Sequence, residues 1–204
     1  MVCDAEVCAR SGWTTRDFAA ACFDGGARLL QVRAKTTASR SFLDDVIHIV
    51  QRAEPYGAAV IVNDRADIAT LAGAHGVHVG QDDLTPADVR TLVGDAALVG
   101  LSTHTIEQLH AARNEPVNYV AIGPVFGTNT KDTGYSSVGL AMVRAAAEAV
   151  RGVAPVVAIG GISLESAPDV IAAGATSVAV ITDLLVGNDP AARVRAYQAR
   201  FARV

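Results

Sequence analysis

The stretch Pro155-Val156-Val157-Ala158-Ile159-Gly160-Gly161 indicates the fold class of this chain of 204 residues. Its apolar run, Val156–Ile159, has no polar side chain on either face. Such a run is typical of a strand in a parallel sheet that helices cover on both sides. The two glycines after it allow a ligand to approach the backbone closely. The stretch therefore predicts an α/β protein with a binding site beyond the carboxyl end of this strand.

Similar short apolar runs alternate with longer amphipathic stretches, rich in Ala and Leu, along the whole chain. The pattern predicts eight strands, at 2–4, 29–33, 59–63, 76–79, 98–102, 119–122, 156–159 and 177–181. It also predicts eight helices, at 14–24, 39–54, 66–72, 86–92, 106–115, 140–150, 167–173 and 191–201.

This even alternation predicts one domain. Eight strand–helix units in 204 residues leave about 26 residues for each unit, with no room for a second domain. We expect residues 1–204 to form a single, short (β/α)8 TIM barrel, with an open, doubly wound sheet of eight strands as the alternative. Only Met1-Val2-Cys3 precede Asp4, so the first strand is either short or clipped at its start.

The composition argues against several classes of protein. The net charge of -4 argues against nucleic acid as a partner. The longest apolar stretch, 153–162, is about half as long as a membrane span, which predicts a protein that does not enter the membrane. No secretory signal is recognisable at the start, so we expect a cytoplasmic protein in which Cys3, Cys8 and Cys22 are buried free thiols. The composition leaves homo-oligomer formation open.

Polar or glycine clusters follow six of the eight predicted strands. Barrels hold their active sites at the carboxyl ends of their strands, which all meet at one rim. We therefore expect a ligand site at this rim. The clusters are Gln31, Arg33 and Lys35; Asn63, Asp64 and Arg65; Gln81, Asp82 and Asp83; Ser102, Thr103 and His104; the run 123–131; and Gly160 with Gly161.

The first of these clusters predicts a phosphate site. The segment Gln31-Val32-Arg33-Ala34-Lys35 alternates polar and apolar residues, which aims three polar side chains in one direction. Two of them are cations with no acidic neighbour in the sequence, an arrangement suited to phosphate. Lys35 is also one of only two lysines among 17 basic residues, the other being Lys131.

Asp64 and Asp83 follow consecutive strands and are therefore expected to be neighbours. Two carboxylates that face cations are suited to Mg²⁺ held between the protein and a diphosphate, because Mg²⁺ prefers few carboxylates together with phosphate oxygens. The alternative is that both residues only cap helices or form salt bridges.

A second anionic site is predicted at strands 6 to 8. The loop 127–131 is rich in hydroxyls and backbone donors, and it ends in Lys131, which is able to reach both sites. The ends of strands 7 and 8 often hold phosphate in barrels. Nearby, His104 is either an acid–base group or a residue of a helix start, whereas His78, inside a strand, is expected to be a hydrogen-bonded interior residue.

Taken in order, six segments resemble the thiamine-phosphate synthase family; they are 31–35, 63–65, 76–84, 100–104, 123–131 and 158–162. The resemblance implies a (β/α)8 barrel. It also implies an enzyme that joins 4-amino-2-methyl-5-hydroxymethylpyrimidine diphosphate to a carboxylated thiazole phosphate, with release of pyrophosphate and CO2.

The resemblance also assigns roles by position. It implies that Lys131, Lys35 and Arg33 are catalytic and that Asp64 and Asp83 bind Mg²⁺ as the cofactor. The implied substrate-binding residues are Gln31, Val32, Arg33, Ala34, Lys35, Asn63, Ser102, Thr128, Asn129, Thr130, Lys131, Gly161, Ile181 and Thr182.

Two positions depart from the family pattern. Gly127 stands where the family often has proline, and Thr182 stands where serine is usual but keeps the hydroxyl. Neither change removes a charged group. Two rival functions remain: the related thiazole tautomerases, which do not need the diphosphate and metal residues, and a phosphate-binding barrel without catalysis.

Overall fold

The computed structural model of the protein describes residues 1–127 and 135–202. It contains the eight predicted strands, at β1 Val2–Asp4, β2 Leu29–Arg33, β3 Ala59–Asn63, β4 Gly76–Val79, β5 Leu98–Thr103, β6 Tyr119–Ile122, β7 Val156–Ile159 and β8 Ser177–Ala179. Six strands have the predicted bounds; β5 is one residue longer than predicted and β8 two residues shorter.

The strands form one parallel sheet in the order in which they occur along the chain, β1 to β8. The backbone N–H of Val2 donates to the carbonyl of Val180 at 3.0 Å, which joins the first and last strands. A doubly wound sheet reverses its strand order part of the way across, and this sheet does not. The (β/α)8 barrel prediction is confirmed, and all the strand ends point to one rim.

The helices cover the outside of the barrel, at α1 Ala5–Arg10, α2 Thr15–Asp24, α3 Ser39–Ala53, α4 Ala66–Ala72, α5 Pro86–Val93, α6 Ile106–Ala112, α7 Gly139–Ala149, α8 Ala167–Ala172 and α9 Pro190–Phe201. Sequence reasoning missed α1, whose six residues are too few to reveal a helical period. This helix exists because the carboxylate of Asp4 accepts the N–H of Val7 at 3.0 Å and caps it. Within the described residues, no helix has both the length and the apolar character that crossing a bilayer requires.

The strands sort their side chains between two environments. Val32, Val60 and Val62 are fully buried in the apolar layer between the sheet and the helices. Each such valine contributes about 1.5–3 kcal/mol relative to an exposed side chain. The alternate residues Gln31, Ile61 and Asn63 line a cavity inside the barrel. This period of two places the polar residues of β2 and β3 in the interior.

Cys3, Cys8 and Cys22 are buried free thiols, as predicted. The sulfur of Cys3 lies 3.9 Å from that of Cys8 in the layer between the sheet and the first two helices. Burial raises the pKa of Cys22 to about 12, so this residue stays a neutral thiol and packs as a small apolar group.

Asp183 holds the last part of the barrel together. Its carboxylate accepts the Arg193 Nε–H and Nη2–H at 3.0 and 2.9 Å and the backbone N–H of Leu164 at 3.2 Å. The side chains of Asp183 and Arg193 are 12% and 16% exposed. One carboxylate therefore ties the turn after β8 both to α9 and to the loop that follows β7.

We expect Asp183→Ala to lower the free energy of unfolding by about 2–4 kcal/mol, because it leaves a mostly buried guanidinium without its partner. Urea unfolding followed by circular dichroism measures this. Glu148→Ala is the control: it removes a pair with Arg151 in which both side chains are at least 70% exposed, and it should cost less than about 1 kcal/mol. Equal losses in the two variants would contradict the structural role of Asp183.

Candidate active site

A cavity of about 550 Å³ occupies the barrel interior and opens at the rim. Seven of the predicted site residues line it: Gln31, Arg33, Asn63, Ser102, Gly161, Ile181 and Thr182. They come from five different strands or strand ends. The structure therefore brings together, around one space, residues that lie up to 151 positions apart, from Gln31 to Thr182.

Lys35, Asp64 and Asp83 form a charge cluster, the 35–64–83 cluster, beyond the strand ends at which Arg33 and Asn63 line the cavity. The Lys35 ammonium contacts the Asp64 carboxylate directly, and the two carboxyl groups are close enough to hydrogen-bond to each other. Burial raises the pKa of Asp64, and Asp83 raises it further, against the opposing effect of Lys35. The two carboxylates are therefore neighbours, as the sequence predicted.

The backbone around this cluster is unusual. Asp64 has a φ of 62°, in the left-handed region, where residues other than glycine are uncommon and often mark functional sites. Its N–H donates to the carbonyl of His78 at 2.8 Å, which ties it to β4. Asp83 in turn accepts the N–H of Gly80 at 2.8 Å. Asp64 thus forms an ion pair, the kind of contact named above as the alternative to a Mg²⁺ site, and Asp83 accepts a hydrogen bond that closes a turn.

The donor set of the cluster fits Mg²⁺. Two adjacent carboxylates repel each other. The Lys35 ammonium and the raised pKa of Asp64 both relieve part of that repulsion. No group of three or more His, Cys, Asp or Glu side chains suited to a metal occurs within residues 1–127 and 135–202. A pair of carboxylates that leaves the other positions to phosphate oxygens and water is how Mg²⁺ is usually held.

A chain of polar side chains crosses the interior below this cluster. Gln31 hydrogen-bonds to Tyr119, whose hydroxyl lies 3.0 Å from His78 Nδ1, and His78 Nε2 lies 2.8 Å from Ser102 Oγ. The rings of His78 and Tyr119 are stacked, with centroids 5.5 Å apart. His78 is 7% exposed and satisfied at both nitrogens, which confirms that it is a hydrogen-bonded interior residue.

Sequence reasoning did not single out Tyr119 as a site residue. The residue begins β6 and looks like an ordinary strand aromatic, yet it lines the cavity. Burial raises its pKa, so the phenol stays neutral and available as a hydrogen-bond donor. One signal was present: Gly100 stands opposite it on β5, where a side chain would leave no room for the ring.

Arg33 is paired with acidic residues, contrary to the expectation drawn from its sequence neighbours. Its Nη1 contacts the carboxylate of Asp4 and lies 3.8 Å from Glu6 Oε2. Asp4 is 3% exposed. The two acids were missed because they precede Arg33 by 29 and 27 positions and reach it only through the parallel pairing of β1 with β2.

Gly160 and Gly161 pack closely against the backbone of the segment that follows β6, where the sequence predicted close approach of a ligand. Their φ angles are 103° and 63°, and a Cβ at Gly160 would lie 2.5 Å from the Cα of Pro124. The carbonyl of Gly160 accepts the N–H of Phe126 at 3.0 Å. These glycines therefore seat the segment that follows β6, and Gly161, Ile181 and Thr182 face the cavity beside it.

Several other predicted residues have different surroundings. The side chain of Val32 is fully buried on the helix side of β2 and does not face the cavity. Ala34 is partly buried against the same apolar core. Thr128, Asn129, Thr130 and Lys131 lie outside the described residues.

His104 is held in place by structural contacts. Its Nδ1 lies 2.6 Å from the carbonyl of Gly123, and its ring stacks on Tyr135 with centroids 4.1 Å apart. Its backbone N–H donates to Gln108 Oε1 at 2.7 Å. These contacts favour the interpretation that His104 supports the end of β6.

We expect Gly100→Ala to disturb the interior chain without changing any charge. The new Cβ would lie 2.1 Å from the Tyr119 ring and 2.5 Å from His78 Nδ1, so the ring must move. The expected loss in the free energy of unfolding is about 1–3 kcal/mol. Urea unfolding measures it, with Gly127→Ala as the control, because no atom of residues 1–127 and 135–202 lies within 4 Å of a Cβ at Gly127. A Gly100→Ala protein as stable as its control would contradict the packing described.

The geometry defines a (β/α)8 barrel whose rim carries cations and a pair of neighbouring carboxylates. The family model described as thiamine monophosphate synthase matches residues 1–184. The chain belongs to this family.

Individual relatives agree. A thiamine-phosphate synthase of Koribacter versatilis is 47% identical over 180 residues, which are 88% of this chain and 83% of that protein. One of Anaeromyxobacter dehalogenans is 43% identical over 183 residues, covering 90% and 81%. Among solved structures, thiamine phosphate pyrophosphorylase from Pyrococcus furiosus superposes with a TM-score of 0.84 at 26% identity and covers 92% of this chain and 89% of that chain.

Proposed function

We propose that the protein is a thiamine-phosphate synthase that transfers the aminopyrimidinylmethyl group from its diphosphate to a carboxythiazole phosphate. The products are thiamine phosphate, pyrophosphate and CO2. One observation carries the proposal: Lys35 and Asp64 of the 35–64–83 cluster follow Arg33 and Asn63, which line the same cavity as the glycine-rich end of β7. A tautomerase or a simple phosphate-binding barrel has no need of the 35–64–83 cluster.

The diphosphate half of the site comprises Arg33, Lys35, Asp64 and Asp83. Lys35 and Arg33 supply positive charge to the phosphate oxygens, and the two carboxylates hold Mg²⁺. When bound, Mg²⁺ supplies charge stabilisation to the departing diphosphate. Arg33 provides a fixed donor edge, because Asp4 already holds its Nη1.

The pyrimidine ring and the thiazole phosphate occupy the remaining space. Gln31, Asn63 and Ser102 line the cavity and offer amide and hydroxyl groups to the pyrimidine nitrogens and amino group. The thiazole phosphate is bound by Gly161, Ile181 and Thr182, together with Thr128, Asn129 and Thr130. Val32 and Ala34 contribute only their backbone atoms to substrate binding, since neither side chain lines the cavity.

The reaction follows from this arrangement. The amino group of the pyrimidine donates electrons toward its exocyclic CH2, so the C–O bond to the diphosphate breaks with cationic character at carbon. Arg33, Lys35 and Lys131 stabilise the leaving pyrophosphate as its charge develops. The thiazole nitrogen, held close by the second phosphate site, then forms the new C–N bond. The thiazole carboxylate leaves as CO2, and the ring carbon keeps the electron pair of the broken C–C bond and takes up a proton from water. No general base is needed to form that bond, which agrees with the structural contacts of His104.

The proposal also covers the domain organisation, the location and the partners of the protein. We expect residues 1–204 to act as one domain in the cytoplasm, on small-molecule substrates and without nucleic acid or membrane partners. A homo-oligomer is compatible with this activity, since the cavity is lined by residues of one chain.

The purified protein should convert the two substrates into thiamine phosphate and pyrophosphate in the presence of Mg²⁺ and should lose this activity when EDTA is added. Thiamine phosphate is measured by oxidation to a fluorescent thiochrome, and pyrophosphate by a coupled assay. Tautomerisation of the thiazole phosphate with no pyrophosphate release would favour the tautomerase instead.

Three variants refine the same test. We expect Lys131→Ala and Asp64→Ala to lower kcat by about 100-fold, the size of effect typical of a lost charge-stabilising group. His104→Ala should lower kcat far less than either of these variants. An inactive His104→Ala protein beside an active Lys131→Ala protein would contradict the assigned roles.

A further inference from the structure

Glu6 is a charged residue of α1 that the reaction described above does not use. It lies in the first turn of the helix and its side chain is 27% exposed. Its Oε1 accepts three hydrogen bonds from the segment after β2: the backbone N–H groups of Lys35 and Thr36, both at 3.1 Å, and the Thr36 hydroxyl at 2.9 Å. A carboxylate that gathers three donors from two adjacent residues fixes the path of that segment.

The other oxygen of Glu6 faces Arg33. Oε2 is buried, lies 3.8 Å from Arg33 Nη1 and has no hydrogen-bond partner within the described part of the chain. Arg33 Nε is likewise buried without a partner there. Leaving both groups unsatisfied is costly, so the close approach of opposite charges is the interaction that offsets the cost.

We propose that Glu6 is a positioning residue for the diphosphate half of the site, which holds both Arg33 and the backbone of Lys35 in place before the substrate binds. The proposal rests on the proposed function for the identity of that substrate. Glu6 does not line the cavity; it reaches the 35–64–83 cluster through the backbone N–H of Lys35, and it acts through Lys35 and Arg33.

The exposure of Lys35 explains why the segment that carries it has to be held in place. Lys35 is the more exposed partner of its ion pair, with 47% of its side chain accessible, and it follows the end of β2 by two residues. A long, exposed side chain on an unrestrained segment loses conformational entropy when it binds an anion. With its backbone N–H already fixed by Glu6, less entropy remains to be lost on binding.

The charge state of Glu6 supports this role across the working range of pH. Burial acts to raise its pKa, but hydrogen bonds from its own backbone N–H and from the hydroxyl and N–H of Thr36 outweigh burial and lower the pKa to about 2. A carboxyl with a lowered pKa stabilises the fold above its ordinary pKa near 4.5, and this contribution is lost between about 4.5 and 2. Glu6 is therefore ionised at neutral pH.

Steady-state kinetics of Glu6→Ala tests the proposal. We expect KM for the pyrimidine diphosphate to rise about tenfold, the equivalent of one or two lost hydrogen bonds to a charged group, while KM for the thiazole phosphate changes less than twofold. Glu6→Gln keeps an oxygen that accepts the Lys35 and Thr36 N–H groups and should recover most of the loss. A general structural defect would instead raise both KM values or lower kcat alone.

Glu107→Ala is the matched control. Glu107 occupies the same position in the first turn of α6 as Glu6 does in α1, but it is exposed and far along the rim. The Glu107→Ala variant should leave both KM values unchanged. If Glu6→Ala gives the same values as Glu107→Ala, or shifts the two KM values equally, the proposal is wrong.

Binding of inorganic pyrophosphate, measured by calorimetry with Mg²⁺ present, separates this proposal from the proposed function. Weaker binding by Glu6→Ala than by Glu107→Ala would support the positioning role even in a protein without synthase turnover, in which case only the proposed function fails. Equal binding by the two variants in an active synthase would overturn the positioning role alone.

Discussion

Closure of the parallel barrel is the constraint on which the site depends. Eight strands in sequential order point their carboxyl ends to one rim, and the hydrogen bond from Val2 to Val180 joins the two edges of the sheet. Pairing of β1 with β2 sets Asp4 beside Arg33, and closure places the end of β8 next to β1. In an open sheet the residues of the first and last strands would lie at opposite edges, and no common cavity would form between them.

Charge organises the rim once the barrel has closed. The cation at the end of β2 and the one just after it both have acidic partners: Asp4 and Glu6 for Arg33, and Asp64 for Lys35. These pairs do more than neutralise charge. They hold the long side chains of Arg33 and Lys35 in place, and under the proposed function the diphosphate would replace the carboxylate contact of Lys35. The site is thus ordered in advance, which lowers the cost of binding a highly charged substrate.

The sequence was sufficient for the fold and for a set of seven candidate site residues that line one cavity, because both follow from local patterns. Apolar runs marked the eight strands, and the polar residues after them marked the rim. Contacts made through the pairing of distant strands were not predictable in this way. Asp4 and Glu6 were missed because they meet Arg33 only across β1 and β2, and Tyr119 because its hydroxyl finds His78 from another strand. Val32 shows that a shared motif does not fix the direction of a side chain: it lies between Gln31 and Arg33, but the period of the strand turns its side chain toward the helices.

Binding of pyrophosphate to the unaltered protein and to Asp64→Asn, each with and without Mg²⁺, tests the central claim most directly. The claim is that cations and paired carboxylates form one site for a metal-bound diphosphate. Calorimetry should show binding at least about tenfold tighter with Mg²⁺ in the unaltered protein, and little or no enhancement by Mg²⁺ in Asp64→Asn. Equal affinity with and without Mg²⁺, or the same enhancement in Asp64→Asn, would contradict the account.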